Sequence, residues 1–180
     1  MGLLNSIIGA VSGRKETPEA LHIAIMRQSL LPDFYGIDFC PDTFAGRFEM
    51  TTLHSVLLFR RLRELGPAGN DLSDAVFKEL LSGFDDALRE IGTGDLKVGK
   101  KMRQLGEAFY GRAQAYDEAI ASDTEESLMI ALKRNMQVSE TFASNLALYC
   151  RKTAMSLADQ IESDLLRGTV KWISPEVIGD

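Results

Sequence analysis

The stretch that decides the fold runs from Phe84 to Arg112 and reads FDDALREIGTGDLKVGKKMRQLGEAFYGR. It contains the end of one predicted helix, a glycine turn and the first half of a second helix. Glycines in the turn, Gly92-Thr93-Gly94-Asp95, accept positive φ angles and therefore stop the first helix. Asp95 is predicted to cap the second helix, where a carboxylate also favours the positive end of the helix dipole.

An apolar stripe predicts the second helix. Its members recur three or four residues apart, as on one face of an α-helix. They are Val98, Met102, Leu105, Phe109, Ala113, Tyr116 and Ile120. Gly99 and Gly106 interrupt this helix, although each interior glycine costs roughly 1 kcal/mol relative to alanine. Because these glycines and Ala113 lie seven residues apart, we expect another helix backbone to pass close to this flank.

Positive charge is concentrated on the same helix. Between Arg89 and Arg112 six lysines and arginines stand against three acidic residues, whereas the whole chain has a net charge of −6. The central group, here called the basic island, consists of Lys97, Lys100, Lys101 and Arg103. Charges of this kind usually only solvate a helix face. On an acidic protein, however, a positive patch can also orient a partner electrostatically.

The start of this helix nearly matches a phosphate-binding loop. Residues Gly94 to Lys101 fit the pattern G-x-x-x-x-G-K-[ST], except that Lys101 stands where the magnesium-binding hydroxyl is needed. Such a loop also requires a buried strand before it, whereas Ala87 to Ile91 continue a helical pattern. We therefore predict that the chain has no nucleotide site.

Composition excludes several classes of protein. The chain has 180 residues, of which 45% are hydrophobic, enough for one well-formed core. Its net acidity argues against a general nucleic-acid binder, though not against a local basic contact. We expect no specific nucleic-acid partner. Two cysteines, Cys40 and Cys150, fit a reducing compartment, and without a C-x-x-C motif they do not indicate zinc. Apolar runs of a few residues are far too short to span a membrane.

Helical periodicity in nearly every segment predicts an all-α fold, a single-domain bundle of six or seven helices. We divide the chain into an N-terminal amphipathic helix (1–16), a helical domain (17–168) and a tail (169–180). The first helix either docks on the core or lies weakly on a membrane surface, since its polar side has no lysines. Trp172 in the tail either docks on the domain or stays exposed as a contact.

Two boundaries within the domain follow from local signals. Thr17-Pro18-Glu19 is a helix start, with a cap, a proline at the first position and an acid in the first turn. A long helix is predicted from Ser139 to about Arg167, where Gly168 ends it.

No residue pattern indicates a catalytic or metal site. Glu19 and His22 have the Glu-x-x-His spacing of a di-iron bundle, but such a site needs two copies and two further carboxylates. His54 lies among apolar residues and is more simply a packing histidine than a ligand. We therefore predict a non-catalytic protein without a cofactor. A metal- or heme-dependent helical bundle is the alternative.

Two motifs resemble the ubiquinol–cytochrome c chaperone family. The first combines GTGDLKVGKKM, from Gly92 to Met102, with AFYGR, from Ala108 to Arg112. The second, DTFAGRFE, runs from Asp42 to Glu49 and is followed by Leu53-His54. The resemblance covers about Thr17 to Arg167 and leaves out the first helix and the tail.

Membership would imply an all-helical, non-catalytic assembly factor for ubiquinol–cytochrome c reductase. Mitochondrial members act on newly made cytochrome b, with a small partner protein, at the ribosome and inner membrane. A short acidic chain without a transit peptide resembles the single-domain alphaproteobacterial form. It would be cytoplasmic, with a peripheral contact to the inner membrane left open. The residues we expect to bind a partner are the basic island with Arg47, Arg89, Asp95, Tyr110 and Arg112.

Overall fold

The computed structural model describes residues 2–122 and 124–178, with side chains described for 16–122, 124 and 126–176. Within these ranges the chain is helical, and its one β contact is an isolated bridge between Tyr35 and Cys40. The helices are α1 Gly2–Ser29, α2 Phe44–Glu64, α3 Pro67–Glu90, α4 Asp95–Ala121, α5 Glu125–Met136, α6 Glu140–Ala158 and α7 Glu162–Leu165. Short 3₁₀ turns lie at Pro32–Phe34 and Pro175–Ile178. The predicted all-α bundle is confirmed.

Helix α2 lies at the centre of the bundle and packs against α1, α3, α4 and α6. Every residue from Phe48 to Leu58 is buried, as expected of a helix surrounded on all sides. The Thr43 hydroxyl caps its start by accepting a hydrogen bond from the Gly46 amide at 3.2 Å. Gly46 has no room for a side chain, because a Cβ there would lie 2.0 Å from the Pro41 carbonyl oxygen.

Two apolar clusters use opposite parts of α2. One cluster joins α2 to α4, α5 and α6, and its large buried members include Phe34, Met50, Leu53, Tyr116, Phe142 and Tyr149. The other joins α2 to α1, α3 and α4, and includes Leu21, Ile25, Leu58, Leu80, Phe84 and Phe109. Because α2 contributes to both clusters, it connects the two halves of the core.

His54 lies in a buried polar network between these helices. Its Nδ1 is 2.8 Å from the Met50 carbonyl oxygen, and its Nε2 is 2.9 Å from the Tyr149 hydroxyl. Since a carbonyl only accepts, Nδ1 carries the proton and Nε2 accepts from Tyr149. The Tyr149 oxygen in turn accepts from the Gln28 amide at 2.9 Å. Burial lowers the pKa of His54 to about 4, so the ring is neutral at pH 7.

The tail is anchored on the same network. The Trp172 ring packs edge-on against His54 with centroids 5.4 Å apart. The Gln28 amide also donates to the Ile173 carbonyl oxygen at 2.9 Å. Trp172 therefore docks on the domain, and His54 is the predicted packing histidine.

Tyr149→Phe is expected to lower the free energy of unfolding by about 1–3 kcal/mol, since it leaves His54 Nε2 buried without a donor. Urea denaturation at pH 7 measures the change. Tyr110→Phe removes a hydroxyl from a tyrosine that is 63% exposed, and should stay within about 0.5 kcal/mol of the parent. Equal stability of the two variants would contradict the network's role.

Helix α5 ends at a strained residue, Gln137, with φ 55° and ψ 41°. Elsewhere in the described residues, positive φ occurs only at glycine. Gln137→Gly should raise the free energy of unfolding by about 0.5–1 kcal/mol, because glycine adopts the left-handed region without a steric penalty. A denaturant titration checks this. Gln137→Ala keeps the strain and should not stabilise the protein.

The predicted helix start at Thr17 is wrong. Helix α1 is continuous from Gly2 to Ser29, with Pro18 inside it. The φ of proline, about −65°, fits an α-helix, so the chain continues through it at the loss of one hydrogen bond. The predicted docking or membrane contact of 1–16 depends on the side chains of 1–15, which lie outside the described residues. Within 2–122 and 124–178 no helix combines the length and hydropathy needed to cross a bilayer.

The predicted long helix up to Arg167 is also wrong, because α6 ends at Ala158. Arg61 of α2 donates to the carbonyl oxygens of Leu157 and Gln160 at 3.1 and 3.3 Å. These bonds satisfy carbonyls that an ending helix leaves free. The helix end thus coincides with a tertiary contact that local sequence does not reveal.

Candidate functional site

A Schellman turn joins α3 to α4. The Thr93 amide donates to the Leu88 carbonyl at 3.0 Å, and the Gly92 amide donates to the Arg89 carbonyl at 2.9 Å. These two bonds define the motif. Gly92 has φ +80°, a conformation that favours glycine. The predicted helix–turn–helix is confirmed, and the strand that a phosphate-binding loop requires is replaced by α3.

Arg89 holds the two helices together across this turn. Its guanidinium pairs with Asp85, one turn earlier, and with Asp95, each at 2.6 Å. Asp95 is the first residue of α4, and Gly94 is the N-cap, which corrects the predicted cap. The Asp95 carboxylate pairs with Arg89 and still lies in the first turn, where it favours the helix dipole. Arg89 and Asp95 are thus paired with each other. The region from Arg89 to Arg103 is called the α3–α4 corner below.

The basic island lies in the first turns of α4, and all four of its side chains are exposed. Lys101 Nζ donates to the Thr93 hydroxyl at 3.3 Å, and Arg103 lies 3.8 Å from an acidic neighbour. Lys97 and Lys100 form no ion pair with any described side chain. Their charges are therefore available to a partner.

Two large apolar side chains are exposed at the same corner. Leu96 has a relative exposure of 101%, and Ile91 one of 60%. Apolar contact surrounded by polar or charged groups is how protein interfaces are built. Leu96 is not among the predicted contact residues. It lies outside the spacing of the apolar stripe of α4, and this is the sequence signal that marks it as an exposed apolar side chain. The corner thus offers both charge and apolar area.

The expected helix contact along Gly99 and Gly106 is wrong. A Cβ built at either position meets nothing within 4 Å. That flank of α4 faces solvent, so the regular spacing of small residues does not mark a helix crossing here.

Arg112 is not part of the exposed corner. Its guanidinium pairs with the carboxylate of Glu49 at 2.6 Å and lies over the Phe48 ring, 5.5 Å from its centroid. The Glu49 side chain is only 7% exposed and that of Arg112 25%. Burial raises the pKa of Glu49, and the pairing with Arg112 only partly opposes this. The pair joins two motifs that lie 63 residues apart and links α4 to α2.

Two other expected contact residues also lie elsewhere. Arg47 of α2 is paired with Asp42 at 2.7 Å. Tyr110 stacks on Phe77 with centroids 5.4 Å apart, in a cleft between α2, α3 and α4. The structure therefore brings Arg89, Asp95 and the basic island together. Arg47, Tyr110 and Arg112 lie outside this group.

Neither histidine belongs to a metal-binding group in the part of the chain that is described. No cluster of three or more His, Cys, Asp or Glu side chains capable of holding a metal occurs there. Both ring nitrogens of His54 are occupied by protein hydrogen bonds. His22 is half-buried, and burial lowers its pKa although Glu79 and Glu19 oppose the shift. The metal or heme alternative gains no support from these side chains.

The family model described as Ubiquinol-cytochrome C chaperone matches residues 40–172. The chain belongs to this family. Members of the ubiquinol–cytochrome c chaperone family are assembly factors and not enzymes, which confirms the predicted absence of catalysis. The match contains both sequence motifs, the corner and Trp172. It begins at Cys40, whereas the resemblance was expected to begin near Thr17.

Relatives agree with this assignment. The crystal structure of the Cbp3 homolog from Brucella abortus has a TM-score of 0.88 and 27% identity, covering 98% of this chain and 99% of that one. Ubiquinol-cytochrome-c reductase complex assembly factor 1 of Xenopus laevis is 29% identical over 138 residues, which are 73% of this chain and 68% of the relative. The Mus musculus protein is 26% identical over 137 residues, again 73% of this chain. That match spans only 46% of the mouse protein.

Proposed function

We propose that this chaperone binds newly made cytochrome b during assembly of ubiquinol–cytochrome c reductase, and that the α3–α4 corner is its docking surface. The frog and mouse relatives are named as assembly factors of that reductase complex. The observation that carries the proposal is the combination of unpaired lysines with exposed Leu96 and Ile91 on a turn held by ion pairs. No catalytic step is needed for this function.

The corner is suited to capture and release of a client. Its lysines would attract an acidic segment and orient it, which mainly raises the association rate. Leu96 and Ile91 would then contribute apolar area, at about 25 cal/mol per Å² removed from water. Because the Schellman hydrogen bonds order the backbone of the turn, little ordering cost remains to be offset on binding.

Further contacts follow from the family and also remain proposals. A small helical partner protein or the ribosome would bring the chaperone to its client. We expect the chain to be a cytoplasmic, single-domain bacterial form in peripheral contact with the inner membrane. The likeness to the Brucella abortus chain along nearly its whole length supports the single-domain form.

The test is affinity purification of the tagged chain from native membranes after brief crosslinking and pulse labelling. Mass spectrometry should find cytochrome b enriched above every other subunit of the reductase, and most strongly at short labelling times. Enrichment of a different subunit would show that the client is wrong while leaving the assembly role in place. A tagged chain that recovers no reductase subunit would contradict both.

A further inference from the structure

An apolar groove runs between α1, α2 and α3, on the side of α3 away from the Arg89 ion pairs. Its main apolar lining residues are Met26, Leu30, Phe44, Phe48, Phe84 and Ile91. The groove has a volume of about 280 Å³. Small-molecule sites usually enclose roughly 300–1,000 Å³, so the groove is no larger than the smallest of them.

Gly83 of α3 keeps the groove open. A Cβ at this position would meet only the His22 ring, at the ordinary contact distance of 3.5 Å. Close packing therefore does not require glycine here, although an interior helical glycine costs roughly 1 kcal/mol relative to alanine. A larger side chain would extend from α3 over His22 and fill the space between the helices.

The α3 edge of the groove is acidic. Glu90 lines the groove, and Glu79 and Asp86 lie on the same side of the helix, four residues before and three residues after Gly83. All three are exposed, and none pairs with a described lysine, arginine or histidine. Like charges four apart on a helix are destabilising by about 0.2–0.5 kcal/mol. The edge therefore carries negative charge that the described side chains do not balance.

The opposite wall supplies no compensating positive charge. Arg47 of α2 lines the groove but is already paired with Asp42. His22 of α1 has a pKa lowered by burial, with Glu79 and Glu19 opposing the shift, so the ring is largely neutral at pH 7. A basic occupant would meet carboxylates along one edge, and no unpaired lysine or arginine is among the lining residues.

We propose that this groove binds an amphipathic helix of a partner protein, with its apolar face between α1 and α3 and its lysines or arginines against the acidic edge. The edge from Glu79 to Glu90 is about 16 Å long at 1.5 Å per residue, which matches three turns of the occupant. Apolar anchors at positions i, i+3, i+4 and i+7 are the usual pattern for a helix in a groove. This surface is opposite in charge to the basic island, and it shares Glu90 and Ile91, at the end of α3, with the proposed docking surface for the client.

A displayed library of 14-residue helical peptides tests the proposal without knowledge of the natural partner. The library is selected on the full chain and counter-selected on the Gly83→Leu variant, whose groove is filled. Peptides that depend on an open groove should carry apolar residues at helical spacing with flanking Lys or Arg. A labelled peptide from this set should bind the parent at least tenfold more tightly than the variant.

Matched variants separate groove filling from other effects. Gly111→Leu makes the same change in α4, where a Cβ meets nothing within 4 Å, and should bind the peptide normally. Both variants should keep or raise the thermal midpoint, because leucine is the better helix former.

A charge variant tests the acidic edge even if Gly83→Leu does not fold. Glu79→Gln, Asp86→Asn and Glu90→Gln together should weaken peptide binding at least tenfold at low salt, and less at high salt. The control combines Glu126→Gln, Asp159→Asn and Glu176→Gln, which neutralises exposed carboxylates on other segments. It should leave binding unchanged.

Three outcomes would overturn the proposal. The first is that no enriched peptide depends on Gly83, or that the enriched peptides are acidic. The second is that decanoate displaces the peptide and binds more tightly to the parent than to Gly83→Leu. This result would make a lipid the occupant. The third is self-association of the parent in sedimentation that Gly83→Leu abolishes, which would make a second copy the occupant.

Discussion

Changing Lys97, Lys100 and Lys101 together to glutamate is expected to weaken association with cytochrome b or its assembly partner by roughly 10–100-fold, since opposed like charges cost several kcal/mol. The three side chains are exposed, and none of them has an ion-pair partner among the described residues. Reversal turns their attraction for an acidic segment into repulsion. The loss should be greater at low salt, where charges are least screened.

The fold should survive this triple change. Exposed substitutions usually alter stability by less than about 0.5 kcal/mol each, and glutamates in the first turns of α4 interact favourably with the helix dipole. Co-purification of the variant with its client, beside a thermal melt, measures both properties. Normal association with an intact melt would mean that the lysines only solvate the helix.

A charge-matched control tests whether the position of the three lysines, and not the total charge of the chain, causes the weaker association. Changing Lys78, Lys152 and Lys171 to glutamate alters the net charge equally, at exposed positions on other segments. This control should associate normally. Equal weakening in both variants would indicate that total charge matters rather than the corner. Leu96→Ser then removes apolar area alone, and its effect should be nearly independent of salt.

Local signals explain why the corner could be predicted from the sequence. The spacing of Val98, Phe109 and Tyr116 follows directly from the helical repeat, and these three residues are buried. Gly92 marks a left-handed turn because few other residues adopt that conformation. Both signals lie within a few residues of the structure that they specify, so no tertiary information is needed.

Features that depend on distant contacts could not be predicted in this way. Arg61 of α2 bonds the carbonyls at the end of α6, and the groove is open because Gly83 supplies no side chain beside His22. Gly99 has the same residue type as Gly83 but faces solvent. Residue type alone therefore does not distinguish a glycine that keeps a surface open from one without neighbours.

The role of Arg112 is the clearest case, and it leads to the largest expected effect on stability. The sequence placed Arg112 near the apolar stripe but grouped it with residues that bind a partner. Its actual partner is Glu49, which is 63 residues away and almost fully buried. Whether Arg112 faces a client or the core depends on how α4 packs against α2.

Arg112→Met is expected to lower the free energy of unfolding by roughly 3 kcal/mol. Removing one member of a buried ion pair usually costs about 3–5 kcal/mol, and the lower end applies because the Arg112 side chain is 25% exposed. For a chain of this size the thermal midpoint should fall by roughly 6–12 °C. Urea denaturation of the variant beside the parent measures the difference.

The double variant Glu49→Met/Arg112→Met identifies the cause. Replacing both charges by apolar groups of similar volume is often neutral or stabilising, so the double variant should be more stable than Arg112→Met alone. A double variant as unstable as the single one would show that lost packing against Phe48, and not the unpaired carboxylate, is responsible.

The stability deficit of Arg112→Met should also shrink as the pH falls from 8 to 5. Burial raises the pKa of Glu49 even in the parent, against the opposing effect of Arg112, so removing Arg112 should raise it further. A carboxyl whose pKa is higher in the folded than in the unfolded state binds its proton more tightly when folded. Its contribution to stability is therefore present below the unfolded pKa and is lost as the pH rises through the folded pKa. Other carboxylates titrate in parent and variant alike, so the difference in stability between the two proteins isolates Glu49. A stability deficit of Arg112→Met that does not change with pH would show that the unpaired Glu49 carboxylate is not its cause.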